Sequence, residues 1–298
     1  MIIVLMVFGT NPSYHRQAYL AILSLLKQTT QEHKIVMLTD APQYYNYLNT
    51  SIDIHTITQE VLTDWKGPHD FFWRIKIKGI EYAHLQYPQH DVLYLDTDTF
   101  LFGNLSEIQH LIASGKSVMH LQEGLLFALN SKTIKVMWKQ LKGKTYQHCK
   151  INAQSGMWNA GVIGFSATHA SSYLKDILAI CDGMLADKVR PKLIEQFAFS
   201  LRLQQHSNIL PANHIFGHYW GNKAQWDGAT QEFLSTAFMK GQSLDDVIHT
   251  LDVNYWLQLP IYEKRSSFGK NLLRFVTKRF YQPQNVTYFN SGPLHKLQ

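Results

Sequence analysis

Short apolar runs alternate with amphipathic segments along the first part of the chain. Residues 2–8, 34–38 and 52–57 are apolar runs of strand length. Between them, residues 13–26 and 42–48 have apolar side chains at helical spacing. This alternation predicts an α/β fold in which helices flank a mostly parallel central sheet.

The same pattern leads into a pair of acidic residues. We predict a helix over 70–83 and a strand over 92–95, which Asp96 and Asp98 follow directly. Carboxylates at this spacing after a buried strand suit a hard divalent cation, although acidic residues also occur there as caps of a solvated turn. Ligands of an open parallel sheet collect at the carboxyl ends of its strands, so we expect residues 9–11 to lie nearby.

Composition limits the classes of protein to which the chain can belong. Its 298 residues are 45% hydrophobic, enough for a large core in one or two domains. Cys149 and Cys181 are too few for a disulfide framework and wrongly spaced for a zinc cluster, which favours a reducing, cytoplasmic setting. The first apolar run lacks the basic start of a signal peptide, and no run approaches the ~20 apolar residues of a membrane span.

Positive charge is concentrated at the end of the chain. The net charge is +6, and from residue 264 onward there are no acidic residues but seven basic ones: Lys264, Arg265, Lys270, Arg274, Lys278, Arg279 and Lys296. The preceding body is therefore about neutral, which argues against a nucleic-acid partner. We divide the chain into a domain, 1–262, and a basic extension, 263–298.

The extension has its apolar and basic residues interleaved at helical spacing. Such a helix suits the surface of an anionic membrane, which would make the protein peripheral at the inner face. The alternative is a terminal helix that packs on its own domain.

Four motifs occur in an order that resembles a known family. They are FFWRIKIKGIEYA with YLDTDTFL, which contain Arg74 and the acidic pair; WNAGVIGF, with Asn159, Ala160 and Gly161; LIEQFAFS, with Glu195 and Gln196; and HYWGNKAQW, with His218, Gly221 and Lys223. Together they resemble GT-A-type nucleotide-sugar glycosyltransferases, and are most similar to glycosyltransferase family 8, the retaining galactosyl- and glucosyltransferases. The resemblance implies a Rossmann-like GT-A fold over residues 1–262.

The chain departs from the family pattern at several positions. Lys223 stands one position early, Gln225 replaces a proline, and Glu195 replaces an aspartate. The acidic residue that often contacts the nucleobase is absent, and Thr10 and Asn11 stand in its place. These differences concern the base contact and the subfamily.

The resemblance implies a metal-dependent reaction. Asp96, Asp98 and His218 would hold Mn²⁺ or Mg²⁺, and Lys223 would neutralise a phosphate of a UDP-sugar donor. Further contacts to the donor are expected from Phe8, Gly9, Thr10, Arg74, Asp96, Thr97, Asn159, Ala160, Gly161 and Gly221. The expected activity is transfer of a hexose to a glycan or glycolipid acceptor.

The catalytic group is expected to comprise Gln196, Asp98 and Glu195. Gln196 occupies the family position that faces the anomeric carbon, and an amide is a poor nucleophile. We therefore expect retention of configuration through same-face attack, with the leaving phosphate as base. An inverting enzyme would need a general base, for which Glu195 and Asp227 are the candidates.

Two other functions are compatible with parts of this sequence. A sugar nucleotidyltransferase would also use acidic metal ligands but should have a glycine-rich basic loop after the first strand. A non-catalytic membrane-associated scaffold could retain a transferase fold and the basic tail.

Two predictions concern local structure. The aromatic run 71–73 is expected to pack in the core, and the segment 121–153 is expected to be a surface insertion or a loop near the acceptor.

Overall fold

The computed structural model describes residues 1–29, 33–206, 208–263 and 286–289. Its first half contains β1 (Ile2–Val7), α1 (Pro12–Leu26), β2 (Lys34–Thr39), β3 (Asp53–Thr56), α2 (Gln59–Lys66), α3 (Arg74–Gln86), β4 (Val92–Leu95), β5 (Thr99–Leu101), α4 (Leu105–Ala113), β6 (Ser117–Met119), β7 (Gln122–Leu125) and α5 (Lys132–Leu141). Its second half contains β8 (Thr145–Tyr146), β9 (Cys149–Lys150), β10 (Gly156–Trp158), β11 (Val162–Phe165), α6 (Ala167–Ala186), α7 (Ile194–His206), β12 (Ile209–Pro211), β13 (Phe216–His218), α8 (Lys223–Met239), α9 (Leu244–Thr250), α10 (Val253–Leu257), β14 (Tyr262–Glu263) and β15 (Val286–Thr287).

A seven-stranded sheet organises the fold, in the order β12-β6-β11-β4-β1-β2-β3. The strands β4, β1, β2 and β3 run parallel, as do β12 and β6, and β11 is antiparallel to both of its neighbours. The predicted α/β class is therefore confirmed, and a mostly parallel sheet flanked by helices is consistent with a Rossmann-like GT-A fold.

Alternate residues of each central strand enter two different cores. Ile2 and Val4 of β1 belong to a core on the side of α3, α6 and α7, whereas Ile3 and Leu5 belong to a core with residues of α1 and α4. Because both faces are covered, the strands are apolar throughout instead of alternating with polar residues. This burial explains why β1, β2 and β4 were predictable within one residue.

Three local predictions need correction. Residues Pro42–Leu48 form a 3-10 helix, and the helix predicted over 70–83 begins only at Arg74. The segment 121–153 is not a plain loop, because it contains β7, α5 and the β8–β9 hairpin. Among the described helices, none is both long and apolar enough to span a membrane.

An aromatic cluster packs beneath the β5–β13 ladder. It includes Phe100, Tyr219, Trp226 and Trp256, all buried, and Tyr219 stacks on Trp226 with ring centroids 4.2 Å apart. Phe289 joins the same cluster, with its ring centroid 5.6 Å from that of Trp226.

The end of the described chain thus packs on the domain. Strand β15 pairs with β14, and Phe289 lies over Gly217, where a Cβ atom would come within 1.3 Å of the phenylalanine ring. Residues 286–289 of the predicted extension are therefore part of the packed body. Its basic residues and its predicted amphipathic helix lie outside the described residues.

We predict that Phe289→Ala lowers the free energy of unfolding by about 3 to 5 kcal/mol, because it leaves a cavity among aromatic rings. Phe238→Ala is the matched control, since Phe238 is 86% exposed, and it should change stability by less than about 0.5 kcal/mol. Urea unfolding measures both. Equal stability of the two variants would mean that Phe289 does not pack on the domain.

Candidate active site

Two carboxylates and a histidine meet at the carboxyl end of β4. The β5–β13 ladder sets His218 opposite Thr99, next to Asp98, and the imidazole Nε2 lies 3.2 Å from Asp98 Oδ1. The same nitrogen lies 3.8 Å from Asp96 Oδ2. Each of the three side chains offers one possible ligand atom, and these atoms all lie within 4.8 Å of one another. This group could hold a metal ion, and its members are the three ligands that the sequence predicts.

Asp98 is buried, at 3% exposure, yet remains charged. Burial alone would raise the pKa of its carboxyl group, but its contacts with the His218 ring and with the Lys223 ammonium outweigh burial and hold the pKa well below its usual range. The Lys223 ammonium, at the start of α8, is 2.9 Å from Asp98 Oδ2. The site therefore keeps an ionised ligand ready at neutral pH.

Asn159 fixes the orientation of the histidine. The Gly161 N–H donates to Asn159 Oδ1 at 3.0 Å, and the same oxygen lies 2.9 Å from His218 Nδ1. Because a carbonyl oxygen only accepts, Nδ1 must carry the proton, and Nε2 faces the two carboxylates. Outer hydrogen bonds of this kind orient metal-binding histidines.

Gly161 makes room for that ring. A Cβ atom at this position would lie 2.3 Å from His218 Nδ1, so a larger residue would displace the imidazole. The Gly161 carbonyl also accepts from the Asp96 backbone N–H at 2.8 Å. The Asn-Ala-Gly turn therefore acts by positioning two of the three metal-ligand candidates.

Lys76 is a residue of the site that the sequence analysis missed. Its side chain is 9% exposed, and the ammonium group is 3.0 Å from Asp96 Oδ1 and 3.2 Å from Glu195 Oε1. Burial would lower the pKa of Lys76, but the two carboxylates outweigh it and raise the pKa. Its spacing on α3 gives a signal, because Lys76 falls on the same apolar helix face as Ile80 and Ala83.

Arg74 does not reach the site, contrary to the expectation. Its guanidinium binds both oxygens of Asp182 on α6, at 2.8 and 3.0 Å, and donates to the Trp65 carbonyl. Two positions along a helix differ by about 200°, so Arg74 and Lys76 face different neighbours. Asp227, the alternative general base, is likewise paired with Arg16, at 2.7 Å.

Glu195 and Gln196 are neighbours in sequence with different surroundings. Glu195 is buried against Lys76, and burial is the main reason that its pKa is raised. Gln196 borders the cleft, and its amide donates to Glu123 Oε2 at 3.3 Å. The structure therefore gives Glu195 a charge-balancing position and leaves Gln196 beside the substrate space.

Glu123 is a second cleft residue that the sequence analysis missed. Its carboxylate accepts from the amides of Asn159 and Gln196. Enclosure by the cleft walls raises its pKa, and the two amides partly oppose that shift. It lies in the segment that was predicted to be a surface insertion or a loop near the acceptor, where no periodicity distinguished it from a surface glutamate.

The site opens into a cleft of about 780 Å³, a size suited to a small-molecule substrate. Of the predicted residues, the following border it: Phe8, Asp96, Thr97, Asp98, Asn159, Gln196, His218 and Lys223. The following do not: Gly9, Thr10, Arg74, Ala160, Gly161, Glu195 and Gly221.

The residues outside the cleft have structural contacts of their own. The Gly9 N–H donates to Asp40 Oδ1 at 2.8 Å, and the Thr10 carbonyl accepts from Tyr44. Ala160 offers its carbonyl oxygen to Lys76, and Gly221 packs against Tyr262. Ala160 and Gly161 therefore support the site from behind without contacting the cleft.

Aromatic side chains form the rim of the cleft. Phe72, Trp73 and Trp220 are about half exposed, and Tyr14 is 46% exposed. Only Phe71 of the run 71–73 packs in the core, so the packing prediction was wrong for its two neighbours. Half-exposed rings beside a polar site offer apolar faces to a substrate.

Comparisons with known proteins add little to this description. No protein-family model matches the chain, and no curated protein sequence does so. Among solved structures, mouse xyloside xylosyltransferase 1 in its apo form is similar at a TM-score of 0.48 and 16% identity, over 71% of this chain and 85% of that one. So distant a similarity concerns the backbone alone, and function must be argued from the cleft.

We predict that Asn159→Ala weakens Mn²⁺ binding 10- to 100-fold, because the His218 ring loses the acceptor that fixes its orientation. Titration calorimetry on the folded variant measures the affinity. Gln196→Ala, which alters the same cleft without contacting the three ligand candidates, should leave it unchanged. Equal affinities in all three proteins would show that Asn159 does not orient a ligand.

Proposed function

We propose that the protein is a metal-dependent glycosyltransferase that transfers a hexose from a UDP-sugar to a glycan or glycolipid acceptor, with retention of configuration. The observation on which this depends is the group Asp96, Asp98 and His218 at the end of β4, facing a cleft that also contains Lys223. Acidic and imidazole ligands beside a lysine suit a diphosphate leaving group and its counter-ion.

The side chains fit a divalent cation. His218 turns Nε2 toward two carboxylates, an arrangement that needs a cation or a second ring proton between them. Two oxygen ligands and one nitrogen ligand suit Mn²⁺ and also allow Mg²⁺. When bound, the ion would stabilise the charge that develops on the departing diphosphate.

Lys223 and Lys76 have different electrostatic roles in this scheme. Lys223 has a side chain that is 43% exposed, so its ammonium can leave Asp98 and pair with a phosphate oxygen of the donor. Lys76 is buried and stays between Asp96 and Glu195. It balances their charges and holds Asp96, which also accepts from the Tyr94 hydroxyl at 2.6 Å.

Gln196 and Glu123 lie where the sugar would be bound. The amide of Gln196 is neutral and a poor nucleophile, which favours attack by the acceptor hydroxyl on the face that the diphosphate leaves. Glu123 binds Gln196 and Asn159, and in this scheme it holds both amides toward the donor sugar. The leaving phosphate then takes the acceptor proton.

The aromatic rim supports a carbohydrate or glycolipid acceptor. Phe72, Trp73 and Trp220 present ring faces at the cleft mouth, where the apolar faces of sugar rings can stack. The rival nucleotidyltransferase activity has less support, because the Gly9 N–H that would meet a phosphate is already bound to Asp40. A non-catalytic scaffold would not require Asp96, Asp98 and His218 to lie together at a cleft.

A thermal-shift panel of UDP-, GDP-, ADP- and CMP-sugars, with and without Mn²⁺, tests the donor. We expect stabilisation by a UDP-sugar only when Mn²⁺ is present, by about 2.7 kcal/mol at 100 times the dissociation constant. Asp98→Asn should lose both this shift and transfer. The exposed Asp64→Asn is the matched control and should keep both. Full transfer by Asp98→Asn would refute the metal-dependent mechanism.

We further predict that the product keeps the anomeric configuration of the donor. Proton couplings of the product sugar measure it directly. Inversion would instead require a general base in the cleft, and Glu123 would be the residue concerned. Glu195 and Asp227 would not serve, because Lys76 and Arg16 already bind their carboxylates.

A further inference from the structure

A second cavity lies behind the ribbon that β7 and β10 form. Successive residues of a strand point to opposite faces, so Glu123 and Asn159 face the cleft while Gln122 and Trp158 face this cavity. Its volume is about 430 Å³, within the range of small-molecule sites. The opposite wall is formed by α7, through Leu201, Gln204 and Gln205.

The lining of the second cavity is rich in amides and nearly free of charge. Its amide side chains are Gln122, Asn152, Gln154, Gln204, Gln205 and Asn208. Of the described residues that border it, only Lys150 is charged. An amide group both donates and accepts hydrogen bonds, so this lining matches a ligand whose groups do the same.

Trp158 forms part of the lining and has an unpaired donor. The side chain is 7% exposed, and its indole N–H has no acceptor in the described part of the chain. Buried donors are normally paired, so an unpaired one beside a cavity indicates an acceptor that is supplied from outside.

Gln204 is already oriented for such a ligand. Its Oε1 accepts from the Gly156 N–H at 3.0 Å, so its two Nε2 hydrogens remain to donate. Gly156 lets the amides of Gln204 and Gln122 approach the backbone together, because a Cβ atom there would lie within 3 Å of both amide nitrogens.

We propose that this cavity binds a neutral saccharide. Sugar hydroxyls donate and accept at close spacing, as the amides require, and a hydroxyl oxygen can accept from the unpaired indole N–H. Phosphates and nucleotides would need more positive charge than one exposed lysine, and a metal ion would need carboxylates. The proposal does not depend on the transferase activity, because the ribbon separates the cavity from the cleft.

Nuclear magnetic resonance of the ¹⁵N-labelled full chain tests this proposal without nucleotide or metal. The protein has seven tryptophans, and the Trp158 indole signal is assigned as the one missing from Trp158→Phe. Maltose, cellobiose and lactose are then titrated separately. We expect at least one of them to shift the Trp158 signal in a saturable manner.

Variants on each side of the ribbon locate the binding. Gln122→Ala and Gln205→Ala alter exposed cavity residues and should each weaken binding about fivefold, as expected for one lost hydrogen bond. Trp220→Ala alters the cleft rim and should leave binding unchanged. The remaining indole signals report that each variant is folded.

Two results would overturn the proposal. One is a Trp158 signal that none of the three disaccharides shifts. The other is a shift that Trp220→Ala abolishes or that both cavity variants leave unaltered, since the saccharide would then bind elsewhere. Neither result depends on the thermal stabilisation that a UDP-sugar and Mn²⁺ are expected to produce. The saccharide proposal and the proposed function can therefore fail independently.

Discussion

A single buried ammonium group links the segments that form the site. Lys76 extends from α3 to Asp96 after β4, to Glu195 on α7 and to the carbonyl of Ala160. An ammonium at this depth is tolerated because two carboxylates compensate for its lost hydration, and each carboxylate is tolerated for the same reason. Removing the ammonium would leave Glu195 buried with no positive charge to compensate it. The chain segments around the cleft are therefore fixed relative to one another by mutual charge compensation.

The sequence predicts what is local or repetitive. Strands β1, β2 and β4 were identified because burial on both faces makes them continuous apolar runs, and Asp96 and Asp98 because they follow such a run. His218 was found only through a resemblance in spacing to a known family. Lys76 and Glu123 were not found, although the position of Lys76 on the apolar face of α3 is a signal. Glu123 has no such signal and resembles a surface residue. Their roles arise from contacts with α7 and with the turn at Asn159.

The β7–β10 ribbon has two chemically different faces. Glu123 and Asn159 contribute a charge and an amide to the cleft of the candidate active site, while Gln122 and Trp158 contribute neutral donors to the cavity behind it. Strand alternation alone separates these neighbours. The sequence does not reveal this division, because its pattern over 121–153 was interpreted as a surface insertion or a loop near the acceptor. In the structure, the three residues of β10 pair with β7, and this ribbon forms a wall between the cleft and the second cavity.

The contact between Phe289 and Gly217 gives the order of synthesis a structural meaning. A ribosome releases the two aspartates long before it reaches residue 289, and His218 follows only one residue after the glycine that the phenylalanine covers. The strand that carries His218 therefore gains one of its packing partners only after residue 289 has been made. A chain cut before that residue would present acidic side chains without a fully supported imidazole beside them. Support of the imidazole thus depends on a segment that the ribosome reaches well after both the aspartates and the histidine.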